Sequence, residues 1–161
     1  MSIADWLRAF RTLHERAKKG ELSPEDAETY RAGCDELARA LLASQRIATK
    51  DGEAPRHALR VARALQVDLE TATSKVRATT ADLGAGGFSA LLAKPPPSGE
   101  DVTATLRIPG GDPIEAAVGV VEVKQLPGTA RVAFAFKRLS DAQRERIAFL
   151  VIDTALSNIA A

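Results

Sequence analysis

Apolar residues recur at every third or fourth position between residues 2 and 46. Ile3, Trp6, Phe10, Leu13 and Ala17 form one series; Ala27, Tyr30, Cys34, Leu37 and Leu41 form a second. At 3.6 residues per turn each series falls on one face, so the spacing predicts two amphipathic helices. The KKGELSPED stretch between them carries the signals of a helix end and a helix start. Gly20 suits a left-handed C-terminal cap, with Lys18 and Lys19 matched to the negative end of the first helix. Ser23 suits the N-cap of the second helix, Pro24 its first position, and Glu25 and Asp26 its first turn. Leu22 is placed to staple onto Ala27. The expectation is an antiparallel helical hairpin over residues 1–46. Each helix has a stripe to bury, on the rest of the chain or on a second copy, and the heptad-like spacing favours coiled-coil contact.

IATKDGEAP, residues 47–55, interrupts this pattern with Gly52 and Pro55 and reads as a linker. Beyond it the period changes. ALQVDL, VRATTADL, FSALLA, VTATLRI, IEAAVGVVEVKQL and RVAFAFKRL are short runs rich in β-branched or aromatic residues, separated by GAGG, KPPPSGED, PGGDP and LPGT. In RVAFAF, Val132, Phe134 and Phe136 alternate and so share one strand face. Six strands without intervening helices predict an antiparallel barrel or sandwich. A final helix follows, with Ser140 and Gln143 as its capping box and Ile147, Leu150 and Val151 on its apolar face. The expected class is α+β: hairpin, linker, then a β domain with a C-terminal helix over 56–161.

Composition narrows the function. Hydrophobic residues make up 45% of the 161 positions, enough for a real core. A net charge of +1 and 4% aromatics argue against a nucleic-acid polymer as partner, so any anion site is local. One cysteine, Cys34, excludes an internal disulfide and fits a reducing compartment. MSIADWLRAF lacks the basic start and long apolar core of a signal peptide, and no stretch nears the roughly 20 apolar residues of a spanning helix. The expectation is a soluble cytoplasmic protein without membrane insertion.

The densest glycine cluster is ADLGAGGFSALL, residues 81–92. It reads most simply as a turn between strands, with glycine where φ must be positive. DLGAGG also resembles the glycine-rich loop of S-adenosylmethionine-dependent methyltransferases. Phe88 stands where that pattern wants glycine, and only FSALLAK precedes the PPP stop, too short for the helix such a loop opens. A partner motif favours a third reading. RHALR sets Arg56 and Arg60 four apart, and Asp82-Leu83-Gly84-Ala85-Gly86-Gly87 follows. Together they resemble the PilZ family, small β-barrel receptors for the bacterial second messenger cyclic di-GMP, whose signatures are RxxxR and [DN]xSxxG. Arg56 and Arg60 match the first signature. Asp82 and Gly87 match the second, with Gly84 where serine is usual. The resemblance runs from about residue 56 to the final helix and does not cover the hairpin. It implies a six-stranded PilZ-like barrel.

The chemistry suits that ligand. A guanidinium fork can bridge N7 and O6 of guanine, pair with phosphate oxygens or stack on a base. The other guanine edge offers two N–H donors, for which the Asp82 carboxylate is a matched acceptor. Gly84 and Gly87 would let backbone lie close to the flat base. Losing the serine hydroxyl at Gly84 removes a hydrogen bond worth roughly 0.5–1.5 kcal/mol. At about 1.4 kcal/mol per tenfold, the cost is up to about tenfold in affinity. His57 and Arg63 are accessory candidates, His57 for stacking and Arg63 for phosphate, with an exposed strand residue the favoured reading of Arg63. Arg56 and Arg60 alone would also read as a solvated charge pair, Asp82 as a turn cap, and His14 as structural.

No nucleophile–base set, metal-ligand spacing or GK[ST] phosphate loop is present in the sequence, so neither an enzyme nor a bound cofactor or metal is expected. Two functions remain. One is a receptor and adaptor in which cyclic di-GMP orders the RHALR loop and changes what an unknown partner protein meets. The other is a degenerate scaffold that has lost the ligand and acts through its hairpin, a candidate homodimerisation element.

Overall fold

The computed structural model describes residues 2–47, 59–97, 99 and 101–159. It contains two N-terminal helices, a closed antiparallel barrel and a C-terminal helix. The chain divides into two compact units, residues 1–59 with 155–161, and residues 60–154.

In the first unit, α1 (Ile3–Lys18) and α2 (Pro24–Ile47) form the expected hairpin. Gly20 adopts φ 69° at the end of α1, and the Ser23 hydroxyl accepts the Asp26 N–H at 3.2 Å. Ser2 caps α1 in the same way, accepting from the Asp5 N–H at 3.1 Å. The facing stripes meet through aromatic rings: Trp6 stacks on Phe10 at 5.2 Å, and Phe10 on Tyr30 at 5.5 Å. His14 is buried and hydrogen-bonds the Tyr30 hydroxyl at 2.6 Å through Nδ1, a structural role. Gly33 sits mid-helix because a β-carbon there would lie 2.7 Å from the Phe10 ring. Ile3, placed on the stripe by its spacing, is 81% exposed, since it lies a turn before the ring stack begins. Burial pushes the Cys34 thiol above its usual value, so it stays protonated near neutrality. Arg11 donates to the carbonyls of Leu156 and Ile159, closing the end of the last helix with a cation.

The second unit holds seven strands: β1 (Arg60–Ala62), β2 (Gln66–Glu70), β3 (Lys75–Gly84), β4 (Gly87–Leu92), β5 (Val102–Leu106), β6 (Ile114–Leu126) and β7 (Thr129–Phe136). Strands β3-β2-β5-β6-β7-β4 follow one another, and a β3–β4 pairing closes the six-stranded ring. Closure removes the open edges that a sheet of this size would expose. The short β1, outside the expected six, lies along the far part of β3 and pairs Arg60 with Gly84 and Ala62 with Asp82. Its three residues carry too little alternation to announce a strand.

Inward residues alternate along the strands of the ring, in β6 only as far as Val118. Val67, Leu83, Phe88, Val102, Leu106, Ile114, Val118, Val132 and Phe134 are almost wholly buried. The Phe88 and Phe134 rings stack at 5.1 Å. Full burial of such a side chain contributes about 1.5–3 kcal/mol. α3 (Asp141–Asn158) starts with the expected capping box, Ser140 and Gln143 exchanging hydrogen bonds of 3.0 and 3.1 Å. Gln143 and Arg146 also donate to the Glu115 and Asp112 carbonyls, which ties the start of α3 to the barrel.

Candidate functional site

The glycine stretch is a strand, a tight reversal and a strand. Gly84 pairs with Gly87 across the β3–β4 turn, and β4 continues directly to Leu92. A loop opening a helix, as the methyltransferase pattern requires, is absent here. The glycines do not serve positive φ either; those conformations fall at Gly20, Gly99, Gly110 and Gly128 among the described residues. Gly87 answers to space. A β-carbon there would sit 2.0 Å from the Phe134 carbonyl oxygen of β7. Only a bare α-carbon lets β4 and β7 approach at this point.

Asp82 reaches its place through a bulge. Thr80 pairs with Ala90 and Asp82 with Ser89, leaving Ala81 as the extra residue. Thr80 and Ala90 face the core, whereas Asp82 and Ser89 face outward. Without the bulge, Asp82 would share the core face of Thr80. A bulge re-aims a side chain in this way at small cost to the ladder.

On the outer face the Asp82 carboxylate is fully engaged. One oxygen accepts from Arg60 Nη1 at 3.0 Å and from the Ser89 backbone N–H at 3.2 Å. The other accepts from Arg131 Nη2 at 2.8 Å. Arg131 Nε also points to the Ser89 hydroxyl at 3.4 Å. Four strands thus converge: β1 supplies Arg60, β3 Asp82, β4 Ser89 and β7 Arg131. Around them the same face carries Gly84, Gly87, Ala133 and Ala135, small residues that leave it flat. Two guanidinium groups thus meet one carboxylate, and 44% of the Arg131 side chain remains exposed. The arrangement offers a flat floor, fixed N–H donors that can also stack, and one strong acceptor.

The sequence-derived candidates fare unequally. Arg60, Asp82, Gly84 and Gly87 lie together on this face. Arg56 and His57 lie outside the described residues, as does the expected linker beyond Ile47. Arg63, read as exposed or accessory, follows β1 and is half-buried. Its Nε is shielded, with no hydrogen-bond partner among the described residues, and its carbonyl accepts from Thr80 Oγ1 at 2.5 Å. Arg131 and Ser89 were not singled out from sequence. Alternation in RVAFAF already sets Arg131 opposite Val132, on the outer face. Nothing local links it to Asp82, 49 residues away.

A second cluster repeats the chemistry elsewhere on the barrel. Asp68 on β2 accepts from Arg107 at 2.8 Å and from Arg77 at 3.2 Å. Arg107 first and Arg77 second hold its carboxyl below the usual aspartate range. Both arginines project into solvent, and the flat small-residue floor is missing here.

A closed six-stranded antiparallel barrel with an arginine-bound aspartate on its outer face defines the class of this domain. The chain belongs to the PilZ domain family, whose sequence model matches residues 54–153. No curated protein matches it at the sequence level. Among solved structures it is similar to the Bacillus subtilis inhibitor of motility MotI/DgrA, with 18% identity, TM-score 0.60 and coverage of 67% of this chain and 55% of that one. The PilZ domain of Escherichia coli YcgR, solved with c-di-GMP, gives 15% identity, TM-score 0.54 and coverage of 65% and 94%. Klebsiella pneumoniae MrkH in its apo state gives 16%, 0.54, and coverage of 68% and 54%. The chain therefore spans only about half of MotI and MrkH. No helix among the described residues is long and apolar enough to cross a membrane.

Proposed function

We propose that this chain is a cyclic di-GMP receptor rather than an enzyme, and that Arg60 and Asp82 contact the ligand, with Arg56 completing the loop. The observation that carries this reading is the Asp82 carboxylate on the outer sheet face, buried among glycine and alanine and held by Arg60 and Arg131. Guanine N1–H and N2–H would take the carboxylate. Arg60 would then turn to phosphate or to the exposed guanine edge, exchanging one charge-assisted bond for another. Arg131 is a positioning residue that holds Asp82 in place. Gly84, cross-strand from Arg60, brings no hydroxyl to this face, which fits a site weakened by up to about tenfold. Ligand binding would order the RHALR segment and alter the surface that a partner protein meets in the cytoplasm.

Gly84 in the serine position also supports a second reading, a barrel that has lost its ligand and acts as a scaffold. Isothermal titration calorimetry of cyclic di-GMP into the full chain separates the two. Saturable binding at micromolar or tighter ligand, abolished by Arg60→Ala, supports the receptor. Arg131→Ala should weaken binding by roughly tenfold or more, the worth of a charge-assisted hydrogen bond. Gly84→Ser should tighten it by up to about tenfold. No binding at high micromolar ligand selects the scaffold.

A further inference from the structure

β6 runs beyond the strand that covers it. Ile114–Val118 pair with β5, whereas Val118–Leu126 pair with β7. Past Val118 the edge that faced β5 has no partner strand among the described residues. Every residue from Val120 to Leu126 is exposed. Val120, Val121, Val123 and Leu126 are four of the seven large apolar side chains left exposed among the described residues, so exposure concentrates on this one stretch. An open, β-branched edge of this kind is a template for another strand. Its two charges, Glu122 and Lys124, decide which strand fits.

We propose that this edge pairs antiparallel with the same edge of a second copy, about a twofold axis at Val123. Opposed residues in an antiparallel pair lie on the same sheet face. A twofold axis perpendicular to the sheet keeps each residue on its own face. Val123 shares the face of Val132, whereas Glu122 and Lys124 share that of Ala133 and Arg131. Only registers centred on a residue therefore satisfy the pleat. Centring on Glu122 sets two carboxylates against each other, and centring on Lys124 sets two ammonium groups together; both arrangements destabilise a pair. Centring on Val123 sets Glu122 against Lys124 of the second copy twice, with Val123 against Val123. Beyond the bulge at Val121, Val120 shares the face of Val123 and comes opposite Gln125 of the other copy. The edge is self-complementary in charge and in apolar surface, as a twofold interface must be. A net charge of +1 adds little repulsion. Ala133 pairs with both Ser89 and Glu122, so the second copy would run beside the Asp82 face.

Sedimentation velocity on the full chain tests the proposal. The wild type should dimerise. Lys124→Glu turns both attractive pairs into repulsive ones and should weaken dimerisation by about tenfold or more. The double exchange Glu122→Lys with Lys124→Glu restores unlike pairs and should restore the dimer. Directly opposed α-carbons lie about 4.5–5.5 Å apart, within disulfide range. Val123→Cys in a Cys34→Ser background should therefore cross-link on mild oxidation much faster than exposed Val76→Cys in the same background. A wild-type monomer at high micromolar concentration overturns the proposal. So does a dimer indifferent to Lys124→Glu, which would point to the helices, or a double exchange that fails to rescue.

Discussion

Two aspartates on this barrel are each gripped by two arginines from neighbouring segments. Asp82 lies on a floor of glycine and alanine; Asp68 lies among exposed side chains. The first arrangement suits ligand exchange, while the second cross-links β2, β3 and β5. Asp68 makes a prediction at residue scale. Its pKa is lowered in the folded state by Arg107 and Arg77. The unfolded chain therefore binds the proton at higher pH, and stability rises with pH through this range. The contribution is complete above the usual aspartate value and fades as pH falls through the lowered one. Melting temperatures of wild type and Asp68→Asn should differ at pH 7 and converge as the pH falls below the usual aspartate range. A gap that persists unchanged in acid would assign the effect to something other than ionisation. The arginines are half exposed or more, so the gap at neutral pH should be modest.

At the scale of elements, helix caps and strand alternation were legible because they depend on neighbours in sequence. Gly20, Ser23, Ser140 and Gln143 all act as their local pattern demands. The bulge at Ala81 was not legible. ATTADL offers several polar and small residues, and only the β3–β4 register shows which one is extra. Gly87 was recognised but assigned to room for the ligand, whereas β7 already requires its bare α-carbon. Gly87→Ala should destabilise the barrel by about 1–3 kcal/mol, towards the upper end because the clash is with backbone. Gly86→Ala, with open space around its α-carbon, should change stability by less than about 0.5 kcal/mol. Urea denaturation of both variants is the measurement; equal effects would remove the packing explanation.

For the whole molecule, cyclic di-GMP held at Arg60 and Asp82 would change what other proteins meet. Limited proteolysis across residues 47–62, with and without cyclic di-GMP, reads that coupling directly. Ligand should slow cleavage there in wild type and leave Arg60→Ala unchanged. Identical cleavage of wild type in both conditions would separate binding from any change in this segment.

The sequence by itself determined the α+β class, the helical hairpin, the six barrel strands and the PilZ signatures, since each rests on periodicity, capping or residues close in the chain. Tertiary structure decided the ring closure through β3 and β4, the outward turn of Asp82, its capture by Arg131 and the open edge of β6. Those features depend on which strands become neighbours, and pairings between distant segments leave no fixed spacing in the chain to read.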